Sequence, residues 1–499
     1  MGQKRKRDVN VEVTSPSTTA TDLSKLSLTS TSFQIIAGSY DRVLHGLRVS
    51  ILSDNATKSA TFTPLFLFTA HASSIRCLAV SPPSDNSSNG SSSNKRILAT
   101  SSPDTKINLY HLHTRTNLGT LAPPSASPTT SLVFPSKSTL ISTDEAGYIH
   151  IFRTRDWSLL TSLHCPTPKP KPSAILQGGG VNSLAVHPSG KLALSVSKDE
   201  RAVRMWNLMT GRKAGVLVFP KTIPRLITGV NGEGVKVNWR PEGKEGYAVM
   251  FERGVVLFGV DSTVKGKIST TPVSKLHQIK FLETEIDSEM QELCLLATED
   301  GRVVVYLIPQ ESEPSAEAEE EEEIKPFVIA TIVPSSSDKS RIKDFDILAH
   351  PSSDQKSRYF LTTANSEGII RVYSLDFTKL HVKDGISAKK QRINKDDQPN
   401  RDSDKSTEKI QAGDDGFAHM TGEYDTNRRI TCLTTAEVEE SAPGIIKERD
   451  EDEENSDERE SDSEGEDEED GDDDEMGEDG DGNENGDEEE EWGGIGDSE

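Results

Sequence analysis

Short apolar runs that alternate with polar residues, each closed by a turn, recur along this chain with the period of two that marks half-buried β-strands. Six stretches share one plan: an apolar strand, a tight turn with Asp, Glu or Gly, and a second strand ending in an aromatic residue. They read ILATSSPDTKINLY (97–110), TLISTDEAGYIHIF (139–152), LALSVSKDERAVRMW (192–206), YAVMFERGVVLF (247–258), LLATEDGRVVVY (295–306) and YFLTTANSEGIIRVY (359–373). Another short strand precedes each, namely IRCLAVSP, SLVFPS, NSLAVHPSG, VKVNWRPEG, QIKFLET and FDILAHPSS. The Pro, Gly and polar residues after these strands are hairpin turn signals.

The closing aromatics, Tyr110, Phe152, Trp206, Phe258, Tyr306 and Tyr373, stand 42, 54, 52, 48 and 67 residues apart. A four-stranded propeller blade takes about 40 to 45 residues. The excess falls in inserts at 82–95, 165–176, 309–325 and 376–425, which include the runs CPTPKPKPS and PSAEAEEEEE. Ahead of the first copy lie FQIIAGSY, VLHGLRVSIL and PLFLFTAH, three strands where a blade needs four. RRITCLTT (428–435) supplies the fourth, because pairing a C-terminal strand with the N-terminal ones removes the two open edges that a ring of sheets otherwise leaves. In this strand Ile430 and Cys432 are expected on one face and Leu433 on the other. The predicted fold is an all-β, about seven-bladed propeller over 33–436.

Charge changes the picture at the ends. From 448 to 499 there are 31 acidic against 2 basic residues, a charge of -29 in a chain of net -26, which leaves about +3 for the rest. Residues 1–32, 376–425 and the acidic tail 437–499 are polar and poor in aromatics, a composition that predicts disorder. No apolar run reaches membrane-spanning length, and MGQKRKR has no hydrophobic segment behind it, so the sequence predicts a soluble intracellular protein that avoids membranes. Cys77, Cys165, Cys294 and Cys432 stand far apart without metal-ligand spacing, so buried thiols are expected rather than disulfides or zinc. Lys4, Arg5, Lys6 and Arg7 have the form of a nuclear import signal. Lys389, Lys390 and Arg392 form a second basic group that could assist it or touch RNA phosphate. Ser456, Ser461 and Ser463 sit among acids as acidophilic kinases prefer, and a flexible polyanion of this kind can pair with basic clients.

The repeat resembles the WD40 family. Its fullest copy is GGGVNSLAVHPSGKLALSVSKDERAVRMWNLMTG (178–211), where Asp199 is the turn aspartate and Trp206-Asn207 replaces the Trp-Asp pair, while Ala70-His71 stands for the Gly-His pair. The resemblance implies that His71, Asp104, Asp199 and Trp206 are scaffold residues locking hairpins together. AGSYDRVLHGL (37–47), FTAHASSIRCLAVS (68–81) and the closing echo GEYDTNRRITCL (422–433) narrow the likeness to the ribosome-assembly group of the maintenance-of-killer and PAK-interacting type. That likeness implies a nucleolar scaffold on precursors of the large (60S) ribosomal subunit, binding assembly factors or ribosomal proteins; the long acidic tail, in which this chain departs from the group, would hold basic ribosomal proteins by charge, and a monomer is expected. The animal branch implies a regulator of a p21-activated-type kinase, and the acidic tail alone would suit a histone chaperone. No phosphate loop, nucleophile elbow or zinc motif occurs, and the glycine runs 177–180 and 229–234 lack the Gly-Lys-Ser/Thr of a phosphate cradle, so neither catalysis nor a cofactor is expected.

Overall fold

A computed structural model describes residues 30–52, 59–83, 96–166, 179–243, 246–287, 289–309, 324–334, 340–350, 358–377 and 417–437. The basic residues at 4–7 and 389–392 and the serines at 456, 461 and 463 lie outside these ranges, as does most of the four inserts.

The described residues open with a three-stranded meander, β1 (Ser30–Ser39), β2 (Val43–Leu52) and β3 (Ala60–Thr69). Blade 2 is β4 (Cys77–Val80), β5 (Ile97–Ser101), β6 (Ile107–His111) and β7 (Thr116–Leu121). Blade 3 follows as β8 (Thr129–Ser136), β9 (Thr139–Asp144), β10 (Tyr148–Arg153) and β11 (Leu159–His164). Blade 4 is β12 (Val181–Val186), β13 (Leu192–Ser197), β14 (Ala202–Asn207) and β15 (Arg212–Val218). A single helical turn, α1 (Arg225–Thr228), precedes blade 5, β16 (Lys236–Trp239), β17 (Tyr247–Met250), β18 (Gly254–Phe258) and β19 (Val264–Ser269). Blade 6 is β20 (Leu276–Ile286), β21 (Glu289–Thr298), β22 (Val303–Ile308) and β23 (Phe327–Ile332). Blade 7 is β24 (Ile342–His350), β25 (Arg358–Asn365), β26 (Ile369–Leu375) and β27 (Ala418–Asp425). Finally β28 (Ile430–Glu437) pairs antiparallel with β1, so the first blade has the order β28-β1-β2-β3. The innermost strands, β28, β4, β8, β12, β16, β20 and β24, each lie against those of both neighbouring blades, which closes a seven-bladed ring.

Blades pack through their apolar faces. Between blades 7 and 1, Phe33 and Phe360 stack at 5.4 Å within a layer that includes Ile35, Val49, Ile370, Ile430 and Leu433. Fully burying side chains of this size contributes about 1.5–3 kcal/mol each. Cys432 enters the opposite layer, with Ile36, Leu44, Ile75 and Leu98. The expected pairing of faces is therefore corrected: Ile430 and Leu433 share a face, and Cys432 stands on the other. The cause is a bulge, since the register passes from Gly38↔Cys432 to Ser39↔Ile430 and leaves Thr431 as the extra residue. One inserted residue shifts the alternation of everything beyond it. The same irregularity falls at Thr130 in β8, Asn182 in β12, His277 in β20 and Lys343 in β24.

Two expectations about inserts are also corrected. Residues 418–425, assigned by composition to a polar linker, form β27, paired along β26 and anchored by buried Phe417 and Ala418. Ile324, inside the acidic insert, is buried and forms a bridge to Gly266. In both places a few apolar residues are enough to hold an outer strand or contact against an existing sheet edge.

Candidate functional site

In each meander the turn between second and third strands and the connection to the next blade lie at one end, called here the upper face. Blade 2 has a polar lock there. Buried His71, in the connection from blade 1, places Nδ1 2.9 Å from Asp104 Oδ2 and Nε2 2.8 Å from Thr100 Oγ1. Asp104 also accepts the Ala72 N–H at 3.1 Å, and Asn108 Nδ2 donates to Ala70 O at 2.7 Å. Hydrogen bonds to a charged group contribute about 1.5–3 kcal/mol, so this set pins the connection to the hairpin beneath it.

Blade 4 departs from that arrangement. Trp206 Nε1–H donates to Ser195 Oγ at 2.9 Å, and Cys165, in the connection from blade 3, stands beside Ser195. This buried thiol bonds to Ser195, and burial pushes its pKa up to about 12 against the pull of that bond. Asp199 is exposed, with φ of 57°, and its backbone N–H donates to Glu233 Oε2 at 2.6 Å. Its carboxylate takes no part in the lock, so the fullest sequence copy has an incomplete one. Blade 3 has a set that motif reasoning missed: His150 Nε2 faces Asp144 Oδ2 at 3.3 Å and Ser125 Oγ at 3.1 Å, and Asp144 Oδ1 accepts the Tyr148 N–H at 2.7 Å. Burial works against the Asp144 carboxylate, but the bonds from His150, Ser125 and Tyr148 outweigh it and hold the carboxyl below its usual range. The only sequence signal was the Asp and His of STDEAGYIHIF.

Around the ring axis a chain of polar groups crosses blades 5, 6, 7 and 1. Lys236 Nζ donates to Gln278 Oε1 at 2.7 Å, and Gln278 Nε2 donates to Asp344 Oδ1 at 2.7 Å. Asp344 Oδ2 then accepts the Leu433 N–H at 2.9 Å. One step along β24, Asp346 accepts Lys280 Nζ at 2.6 Å on one oxygen and the Thr435 N–H at 2.8 Å on the other. Burial lowers the Lys236 pKa and raises that of Asp344, each partly offset by the other's charge. Burial also acts against Lys280, but Asp346 beside it prevails and raises its pKa. The two aspartates of blade 7 thus clasp the backbone of β28 from the side opposite β1. Thr431 adds bonds from Oγ1 to Gly38 O at 2.9 Å and Ile75 O at 2.6 Å. Ile430, Cys432 and Leu433 are all buried in this closing strand.

The upper face of blades 6, 7 and 1 carries Lys275, Arg341, Lys343, Arg428 and Arg429. Arg341 reaches Glu299 at 3.7 Å, and Arg428 reaches Asp41 at 3.7 Å. The guanidinium of Arg429 lies 5.4 Å from the centre of the Tyr40 ring. Neutral His277 stands among them, its pKa lowered to about 4 by burial and then by Lys343. Among the described residues, no group of three or more His, Cys, Asp or Glu is placed to hold a metal ion.

Comparison with known proteins agrees with this geometry. The family model "WD domain, G-beta repeat" matches residues 62–111 and 170–207. A p21-activated protein kinase-interacting protein 1-like protein of Danio rerio is 32% identical over 254 residues, covering 51% of this chain and 57% of that protein, so the match spans little more than half of the relative's length. Protein MAK11 of Saccharomyces cerevisiae is 27% identical over 368 residues, covering 69% of this chain and 78% of MAK11. Shk1 kinase-binding protein 15 of Schizosaccharomyces pombe is 24% identical over 276 residues, covering 54% and 67%.

Proposed function

Given that the chain is a WD40-repeat propeller related to MAK11 and to the p21-activated protein kinase-interacting proteins, we propose that it is a non-catalytic scaffold in biogenesis of the large ribosomal subunit, acting in the nucleolus. The observation that supports this most is the ring itself. The inner strands of four of its blades are tied together by paired polar groups and its locks serve the fold, so what the molecule offers is a fixed circle of loops on which assembly factors and ribosomal proteins can be placed. The reach of the MAK11 match, 69% of this chain, extends the likeness over most of the propeller. In this reading Lys4, Arg5, Lys6 and Arg7 direct import, and the tail from 448 onward holds basic clients by charge, a contact that weakens steeply with salt.

A second reading is favoured by the names of the zebrafish and fission yeast relatives, which are kinase-interacting and kinase-binding proteins: regulation of a p21-activated-type kinase. Sedimentation of a cell extract separates the two. Co-migration of the chain with large-subunit precursors is expected. Migration with a kinase and away from those precursors would overturn the ribosomal reading, and a nucleosomal position would favour a chromatin role. Replacing residues 4–7 by Ala is expected to shift part of the protein to the cytoplasm, as read by microscopy of a tagged chain.

A further inference from the structure

We propose that the upper face of blades 6, 7 and 1 binds a single-stranded polynucleotide, RNA in the ribosomal setting, with phosphates on Lys275, Lys343 and Arg429 and a base stacked on Tyr40. This deepens the reading above by naming a partner class and a surface for it.

Three observations carry it. First, the fold places these cations in turns and bulges at one end of adjacent blades. Lys343 is the bulged residue of β24, Lys275 precedes β20, and Arg429 precedes β28. Second, Lys343 stands mostly among like charges. Burial disfavours the Lys343 ammonium, and Arg341, Arg429 and Lys275 act against it further, with Glu299 the opposing acid. Glu299 is itself shared with Arg341 at 3.7 Å. Like charges gathered in this way are relieved by an anion, and a polyphosphate backbone supplies several at once. Third, Tyr40 is 58% exposed yet held in place, since its N–H donates to Arg429 O at 2.8 Å and its ring lies beside the Arg429 guanidinium. An exposed aromatic ring fixed beside cations is what base stacking on single strands uses. An acidic peptide would satisfy the cations but leave this ring without a role, which is why a polynucleotide is preferred.

The test uses the purified full chain and fluorescent 20-mers of oligouridylate and oligodeoxythymidylate, with polyglutamate as competitor, titrated at several salt concentrations. The chain is expected to bind oligouridylate. The triple variant Lys275→Glu, Lys343→Glu, Arg429→Glu should bind at least tenfold more weakly, and its salt slope should be shallower by about 2. Tyr40→Ala should weaken binding about tenfold with the salt slope unchanged. Lys191→Glu, Arg212→Glu, Lys213→Glu, exposed at the lower end of blade 4, changes the net charge equally and should leave affinity within about twofold, and melting curves of all variants separate lost binding from lost folding. Equal loss in both triple variants, binding of oligodeoxythymidylate alone, absence of oligouridylate binding, or preferential binding of polyglutamate would each overturn the proposal. Sedimentation with ribosomal precursors is read separately, so failure here leaves the scaffold reading standing, and failure there leaves the binding result intact.

Discussion

At the scale of single residues, one buried ion pair that no motif announces ties two blades together. Arg240, 1% exposed, gives Nε to both oxygens of Glu292 at 3.0 and 3.1 Å and Nη2 to Oε2 at 2.7 Å, joining blade 5 to blade 6. Removing one partner of such a pair leaves a buried charge and costs about 3–5 kcal/mol, so Glu292→Ala should lower the urea midpoint markedly, while exchanging both members for apolar residues should cost much less. His45 offers a pH test. It is buried in β2, and burial, then Arg428, lower its pKa from 6.5 to about 4. Between those values the unfolded chain binds a proton that the folded one refuses, so stability is held above pH 6.5 and lost as pH falls toward 4. His277 titrates in the same window and direction. The loss should be about 1–3 kcal/mol per buried histidine, and His45→Leu should flatten part of the decline in denaturation midpoints measured at pH 7.5, 5.5 and 4.5.

At the scale of elements, closure by β28 can be tested by truncation. A chain ending at 427 keeps β27 and loses β28, whereas one ending at 440 keeps both. The first leaves Phe33, Ile35 and Ile36 beside an unpaired edge, and such edges aggregate. Low soluble yield and a depressed melting temperature are expected for the shorter chain, and similar behaviour of the two would mean that β28 is dispensable. Ile430→Asp and Leu433→Asp should be alike in their damage, since both side chains enter the layer between blades 7 and 1, and an unpaired charge there costs several kcal/mol. The second and third strands of the blades were legible in the sequence because they are buried on both faces, as in β13 (LALSVS) and β18 (GVVLF), and punctuated by turns. Outer strands other than β3 were not: β7 reads TNLGTL and β15 RKAGVLV, mostly exposed, and a strand with one wet face and an open edge carries little hydrophobic pattern. The bulge at Thr431 escaped for another reason, since a single extra residue leaves no mark on composition. The His71 and Asp104 lock was implied by the resemblance to the WD40 repeat, while the basic face could not be read from the sequence, because Lys275, Lys343 and Arg429 lie far apart in the chain and only the ring brings them together.

At the scale of the whole molecule, the ring explains how a chain with such large inserts keeps one fold. The insert between β26 and β27 departs and returns at neighbouring points: Leu375 pairs with Ala418, and the Asp376 N–H donates to Phe417 O at 2.7 Å. Loop-closure cost grows only with the logarithm of length, so replacing residues 379–415 by a short Gly-containing turn should leave the melting temperature within a few degrees, as calorimetry would show, whereas extending the deletion through β27 should not.

The pairing of β1 with β28 also orders events in time during synthesis. Thr431 and its partner Gly38 are 393 residues apart, and at about 5–20 residues per second the first blade waits roughly 20–80 s for its inner strand. Through that interval the hydrophobic edge of β1 is open to every other chain nearby, including copies of itself on the same messenger. The residues that follow Glu437 are still being added when β28 arrives, so the ring can shut while the chain is tethered to the ribosome that made it. Translation speed across the inserts thereby becomes part of the folding yield.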